Sequence, residues 1–333
     1  MKSRQPFKRD FRFLKGAFTR ALLALLFIFA LGLVFNADGT FFRWDTHRDM
    51  LRQISTYGIL ASGLTVVIVA GGIDLSVGSV LGLSAVCVSL LSIHQGWPAG
   101  LALPACLAMG LACGAVAGGF IGRFAIQPFI ATLATMVFVR GLSKWVSGGQ
   151  KVSTTVLGPA GTFEQAPIPP VFELLSARLL NQNLAAVTVV FLTCILVCWV
   201  LLAGTRWGRW LYAIGGNELS ARLSGVPVTG MKLLAYGLSG LLAAVAGICQ
   251  AAQEMQGDPE AGMGYELTAI AIVVMGGTSL SGGRGGIGLT LLGTVTIGYL
   301  EKILSINAVS EASRLMMTGA IVLTAVLFQR RQR

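Results

Sequence analysis

The sequence predicts an all-α polytopic membrane protein of ten transmembrane helices with both termini on the cytoplasmic side. Three observations carry that prediction. Of the 333 residues, 54% are apolar and only 12% are charged, which is about half the charged share of a soluble domain. Apolar runs of bilayer-crossing length recur along the chain, and Lys and Arg gather in alternate connections. The mean hydropathy of +0.75 excludes a disordered chain. The 43 glycines follow no triplet period and sit inside apolar runs, where small residues let membrane helices approach closely.

A helix needs about 20 mostly apolar residues to cross a bilayer, and ten stretches approach that ruler: 21–37, 53–71, 75–93, 99–121, 128–147, 184–203, 232–252, 265–277, 286–304 and 312–328. The first follows a basic stretch from Lys2 to Arg20. It has the layout of a secretory signal, but no small-residue cleavage site follows, so it reads as an uncleaved first helix. The second and third are separated almost without spacer. After the fifth comes a loop, 148–183, rich in Pro, Gly and Thr and long enough to be functional. After the sixth comes a basic loop, 204–231, holding a short helical stretch that Asn217 starts and Gly225 ends. The eighth stretch is the shortest. One transmembrane unit thus occupies 21–328, between a basic cytoplasmic tail 1–20 and a cytoplasmic end 329–333.

Charge sets the orientation. With the N-terminus inside, the inner segments hold sixteen of the 25 Lys and Arg and only three acids, Asp10, Asp74 and Glu218, as the positive-inside rule requires. The loop 148–183 then lies outside and 204–231 inside. The net charge of +11 belongs to this membrane asymmetry and not to nucleic-acid binding. Six cysteines lie in apolar stretches without a Cys-x-x-Cys pair, and His47 and His94 stand far apart, so neither a metal site nor a disulfide framework is expected.

Two glycine-rich breaks stand out. Gly71-Gly72-Ile73-Asp74-Leu75-Ser76-Val77-Gly78-Ser79 joins two apolar runs and holds the only acid between residues 50 and 163. Asp74 either caps the next helix, accepting from the Ser76 or Val77 amide, or lines a substrate path, since an acid at that depth is costly. Gly276-Gly277-Thr278-Ser279-Leu280-Ser281-Gly282-Gly283 echoes it at an offset of 205 residues, with Ser279 in the place of Asp74. Interrupted helices in corresponding halves point to a transport path. Arg140 and Glu266 fall within or beside spans, as polar cavity lining or as interfacial anchors. No Gly-x-x-x-x-Gly-Lys-Ser/Thr occurs, so a pump built on this chain takes its energy from another polypeptide.

These runs, together with Gln127-Pro128-Phe129-Ile130-Ala131-Thr132-Leu133, Arg140-Gly141, Tyr212 to Glu218, Ala221 to Gly225 and Gly264-Tyr265-Glu266-Leu267, closely resemble ABC-importer permeases of the bacterial ribose/xylose/arabinose/galactoside group. The resemblance runs from about residue 50 to the C-terminus, with one departure: Thr268 stands where that group often has Asp. It implies a cobalamin-importer-like (type II) permease fold in the bacterial inner membrane, a second permease chain, and a periplasmic sugar-binding protein. It also implies a cytoplasmic ATP-binding subunit that uses ATP and Mg, with no cofactor on this chain. The residues 217–225, with Asn217, Glu218, Leu219, Ala221, Arg222, Leu223 and Gly225, then form the helix that couples to the ATPase, although a helix lying on the lipid surface also fits the pattern. Gly71, Gly72, Asp74, Ser76, Gly78, Arg140, Glu266, Gly276, Gly277 and Ser279 are the substrate-pathway and helix-break candidates. A related permease for nucleosides or branched-chain amino acids is the nearest rival. An ion-coupled secondary transporter would need buried carboxylate or histidine partners, which are scarce here.

Overall fold

The computed structural model describes residues 11–157, 162–317, 319 and 320. Its helices are α1 (Phe11–Val34), α2 (Trp44–Val69), α3 (Val77–Ser89), α4 (Ala99–Phe124), α5 (Pro128–Val146), α6 (Pro170–Ser176), α7 (Ala186–Gly204), α8 (Arg206–Gly216), α9 (Glu218–Leu223), α10 (Val228–Glu254), α11 (Tyr265–Met275) and α12 (Ile287–Ile306). A π-helical turn over Leu90–His94 extends α3. Three two-stranded ribbons lie among the connections. They pair β1 (Val152–Ser153) with β6 (Gln256–Gly257), β2 (Thr155–Leu157) with β3 (Phe163–Gln165), and β4 (Arg178–Leu179) with β5 (Leu184–Ala185), all antiparallel.

Eight of the described helices are long and apolar enough to cross a membrane, where the sequence predicts ten spans. The stretch 265–277 is the 11-residue α11, about 16 Å long at 1.5 Å per residue and so about half a hydrocarbon core. Of the tenth stretch, residues 312–317, 319 and 320 are helical, and 318 and 321–328 lie outside the described residues, as do 1–10, 158–161 and 329–333. Helices also outrun their apolar segments. α1 begins at Phe11 and takes in Arg12, Lys15 and Arg20 of the expected basic tail, while α2 begins at Trp44 and takes in Asp45, Arg48 and Arg52. Charged ends add helical turns beyond the apolar run because backbone hydrogen bonding does not stop where hydropathy does.

The bundle is organised around α10, which packs on α2, α3 and α4. Glycines make that possible. Gly110, Gly114 and Gly118 recur every fourth residue on α4 and so share one face. A methyl group on Gly114 would strike the Tyr236 carbonyl of α10, and one on Gly110 would strike the Gly240 carbonyl and Ala244. Gly240 in turn faces the Gly110 carbonyl, and Gly247 faces Leu81 of α3. Lipid offers apolar helices no hydrophobic reason to associate, so this close backbone contact supplies the attraction. The other faces of α4, α5 and α7 carry exposed Leu111, Phe120, Phe138, Leu196 and Trp199, as hydrocarbon-facing helices do. All six cysteines are free thiols.

The glycine contact is testable within one helix. Gly114→Ala should lower the thermal midpoint of the detergent-solubilised protein, at a cost of about 1–3 kcal/mol from overpacking. Gly119→Ala, where a methyl group meets nothing within 4 Å, should match wild type or exceed it, since Ala favours helix over Gly by about 0.5–1 kcal/mol.

Candidate functional site

The first break is a helix stop followed at once by a restart. Gly71 adopts φ 82°. Its N–H donates to the Ile68 carbonyl at 2.9 Å, and the Gly72 N–H donates to the Val67 carbonyl at 3.0 Å. This pair of bonds is the Schellman arrangement, with glycine at the left-handed position. Asp74 then sits fully buried. Its Oδ1 accepts from the Ser76 N–H at 2.9 Å and from the Ser76 hydroxyl at 2.6 Å, and its Oδ2 accepts from the Ser239 hydroxyl of α10 at 2.8 Å. Burying a carboxylate demands such donors, and three hydroxyl and amide groups supply them. Above it, the Thr132 hydroxyl of α5 donates to the Ile73 carbonyl at 3.3 Å, as does the Tyr236 hydroxyl at 3.5 Å.

The second break repeats the stop. Gly277 adopts φ 99°, its N–H donates to Val274 at 2.9 Å, and the Thr278 N–H donates to Val273 at 3.2 Å. The equivalent glycines are therefore Gly71 and Gly277, one residue away from the sequence pairing with Gly276. The restarts differ. Ser279 does not take the role of Asp74, because its hydroxyl meets that of Ser281 at 2.8 Å. The buried Thr278 hydroxyl instead accepts from the Gly286 N–H, at 3.3 Å, where α12 begins.

The two breaks touch. The Gly283 N–H donates to the Val69 carbonyl at 2.9 Å, and a methyl group on Gly282 would overlap Gly71. Gly215, at the end of α8, wedges between them: a methyl group there would strike the Val69 carbonyl and the Gly283 amide. The Tyr212 hydroxyl of α8 donates to the Gly285 carbonyl at 2.9 Å. One backbone junction thus joins both breaks to the α8–α9 segment. A cavity of about 230 Å³ opens beside it, lined in part by Gly71, Gly72, Gln127, Glu218, Lys232 and Tyr236.

The short helix α9 stands next to this junction. The Asn217 side chain caps it, accepting from the Ser220 N–H at 2.8 Å, and Gly225 follows it at φ 84°. Glu218 is bonded twice, by Lys232 of α10 at 2.7 Å and by Arg222 at 3.0 Å. Burial works against the charged form of Glu218, but the Lys232 ammonium and the Arg222 guanidinium outweigh it and hold the carboxyl below its usual range. Leu219 and Leu223 are 67% and 81% exposed, whereas Ala221 is 5% exposed. Ala221 therefore faces its own chain and does not belong to the apolar outward face with the two leucines.

The short helix α11 begins beside the middle of α2. The ring of Tyr265, in its first turn, packs at a tilt against Tyr57 of α2, with ring centroids 4.4 Å apart. The segment leading to it lies along α3: a methyl group on Gly78 would strike the Gly262 carbonyl and the Glu266 carboxylate, and one on Gly82 would strike Arg140. Arg140 reaches inward, donating to the carbonyls of Pro259 at 2.6 Å and Ala261 at 2.8 Å. It is not an anchor turned outward to an interface. Lys144 with Glu260 and Lys151 with Asp258, each at 2.9 Å, continue the clamp. Among the described residues no cluster of His, Cys, Asp and Glu large enough to hold a metal forms.

Residues 48–326 match the family model described as the permease component of the branched-chain amino acid transport system. The chain belongs to this family. Ribose import permease protein RbsC of Escherichia coli strain K12 is 40% identical over 311 residues, covering 92% of each chain. The RbsC of Bacillus subtilis is 40% identical over 284 residues, covering 85% of this chain and 84% of the relative. Xylose transport system permease protein XylH of Escherichia coli strain K12 is 31% identical over 370 residues, covering 96% of this chain and 94% of the relative. No solved structure matches the chain.

In this permease-family chain, Gly71, Gly72, Asp74, Ser76, Gly276, Gly277 and Ser279 lie at or beside the junction of the breaks, whereas Gly78, Arg140 and Glu266 belong to the clamp around the start of α11. Sequence reasoning missed Gly215, Thr278, Lys232, Tyr236 and Ser239. The i, i+4, i+7 spacing of Lys232, Tyr236 and Ser239, three polar-tipped residues in the otherwise apolar stretch 230–249 of α10, was the available signal.

The bonding at Asp74 separates shape from charge. Asp74→Asn keeps the cap on Ser76 and should retain most folded protein and most activity. Asp74→Leu strands the Ser76 amide and the Ser239 hydroxyl and should cost about 1–3 kcal/mol, read as a lower midpoint in thermal melts followed by size-exclusion fluorescence.

Proposed function

We propose that this chain is the membrane-spanning permease subunit of an ATP-binding-cassette importer that carries a monosaccharide, a ribose-like pentose first, across the bacterial inner membrane. The observation that carries the reading is the 40% identity to a ribose import permease over 92% of both chains, reinforced by the xylose permease at 31%. The chain itself is no enzyme: ATP and Mg are used by a separate cytoplasmic ATP-binding subunit, and a periplasmic sugar-binding protein delivers the solute. A second permease chain completes the pathway, and no nucleic acid takes part.

In this reading the chain has ten spans in a cobalamin-importer-like fold with both termini inside. The basic charge near the α8–α9 side supports that orientation. It makes the loop 148–183 periplasmic and 204–231 the cytoplasmic coupling loop. Leu219 and Leu223, outward on a capped helix, suit docking in a groove of the ATPase. The junction of Gly71, Gly215 and Gly282 sits at the end of α8, immediately before the Asn217 cap of that helix, so a push on α9 passes through it to both helix breaks. The half-length α11, starting midway along α2 with Glu266 in its first turn and Arg140 close to the segment before it, suits the solute path, as interrupted helices do in transporters.

Two experiments test the reading. In proteoliposomes, this chain with its ATPase and binding protein should take up labelled D-ribose only when ATP and Mg²⁺ are supplied to the ATPase side. Uptake driven by a proton or sodium gradient without ATP overturns the importer reading. Leu219→Asp with Leu223→Asp should leave the permease inserted but abolish co-purification of the ATPase. If the double variant assembles and transports normally, the ATPase docks elsewhere.

A further inference from the structure

Three side chains of α10 share one face because they stand at i, i+4 and i+7: Lys232, Tyr236 and Ser239. Each reaches a different part of the cytoplasmic-side machinery. Lys232 Nζ donates to Glu218 Oε2 of α9 at 2.7 Å, the Tyr236 hydroxyl donates to the Ile73 carbonyl at 3.5 Å, and the Ser239 hydroxyl donates to Asp74 Oδ2 at 2.8 Å. The Lys232 side chain is 13% exposed against 40% for Glu218, so the ion pair runs from the surface into the fold. α10 is continuous over 27 residues and is held against α4 by the glycine contacts at Gly114 and Gly118, so its two ends move together.

The α8–α9 segment is linked to the first break in two physically different ways, directly at Gly215 and through α10 at Lys232. At Gly215 the contact is backbone against backbone. Such a contact resists approach steeply but gives little hold on separation, since dispersion is weak per atom pair and fades with a small gap. Lys232 with Glu218 is a charge-assisted bond, which holds when α9 is drawn away. Arg222 also bonds Glu218, but from within α9, so it travels with the helix and ties it to nothing else.

We propose that Lys232 is a positioning residue of the transport cycle: through Glu218 it tethers α9 to α10, so that outward movement of α9 is carried by Tyr236 and Ser239 to the Ile73–Asp74 break. The proposal rests on the importer reading, in which the ATPase moves α9. Gly215 transmits the push and Lys232 transmits the pull.

The test uses the whole complex in lipid nanodiscs, with amide hydrogen exchange followed in two segments, 217–225 and 70–76, with and without ATP and vanadate. In wild type, nucleotide should change exchange in both. In Lys232→Met the change in 217–225 should persist and that in 70–76 should fall severalfold, to the part Gly215 transmits, with the ATPase still bound and D-ribose import reduced about tenfold. Lys232→Arg should behave as wild type, and the exchanged pair Glu218→Lys with Lys232→Glu should restore the response that either single reversal loses. A Lys232→Met complex that keeps the whole response in 70–76, or that no longer binds the ATPase, overturns the tether. So does failure of the exchanged pair to restore a response in an assembled complex. A wild-type complex with no nucleotide response in 217–225 overturns the importer reading and the tether with it. A wild-type complex that responds but takes up no ribose overturns only the choice of sugar, because the exchange data judge the tether alone.

Discussion

Backbone against backbone at glycine is the constraint on which the rest of the molecule depends. Hydrocarbon competes equally for apolar side chains, so helices in a bilayer are held by close contact, polar bonds and little else. Gly110, Gly114 and Gly240 bring α4 and α10 together, and Gly247 brings α10 onto α3. With α10 fixed, Ser239 lies within reach of Asp74 and Lys232 within reach of Glu218. Move α10 outward by the width of a methyl group and both bonds lengthen beyond use. The polar chemistry at the break is thus downstream of a steric fact about residues that carry no side chain.

The two breaks illustrate how one local motif leads to different outcomes. Each ends its helix with a left-handed glycine and the same pair of backbone bonds. After Gly71 a buried carboxylate gathers three donors and α3 starts at Val77. After Gly277 no acid follows, the chain turns through Gly282 and Gly283, and α12 waits until Ile287. The longer turn lets Gly283 reach Val69 and makes the two breaks one structure. Asymmetry between similar halves lets them meet, since two identical tight turns would each close on themselves.

Much of this was legible in the sequence, and the rest was hidden for physical reasons. Hydropathy finds helices that lipid or core must cover, so α3, α5 and α7 fall close to the expected stretches. It cannot find the depth at which a helix starts. The run 265–277 is apolar enough for a span, but contacts distant in sequence, Tyr265 with Tyr57 and Glu266 with Gly78, place its beginning midway along α2. Asp74 was legible because an isolated acid between apolar runs needs a local donor, and Ser76 is two residues away. Arg140 was not, because its partners, the Pro259 and Ala261 carbonyls, are more than a hundred residues distant and carry no side-chain signature. The glycine echo gave the right motif in the wrong register, since composition reports that glycines recur but only φ says which one turns the chain.

The face of α4 turned away from α10 has a different history open to it. There a methyl group on Gly119 would meet nothing within 4 Å, Val116 and Phe120 stand exposed, and any residue that dissolves in hydrocarbon serves as well as another. On the opposite face of the same helix, one added carbon is a collision. Inherited change in such a helix will therefore collect along one stripe and stall along the other. Drift on the lipid side can run for a long time without reaching the machinery a helix-width away.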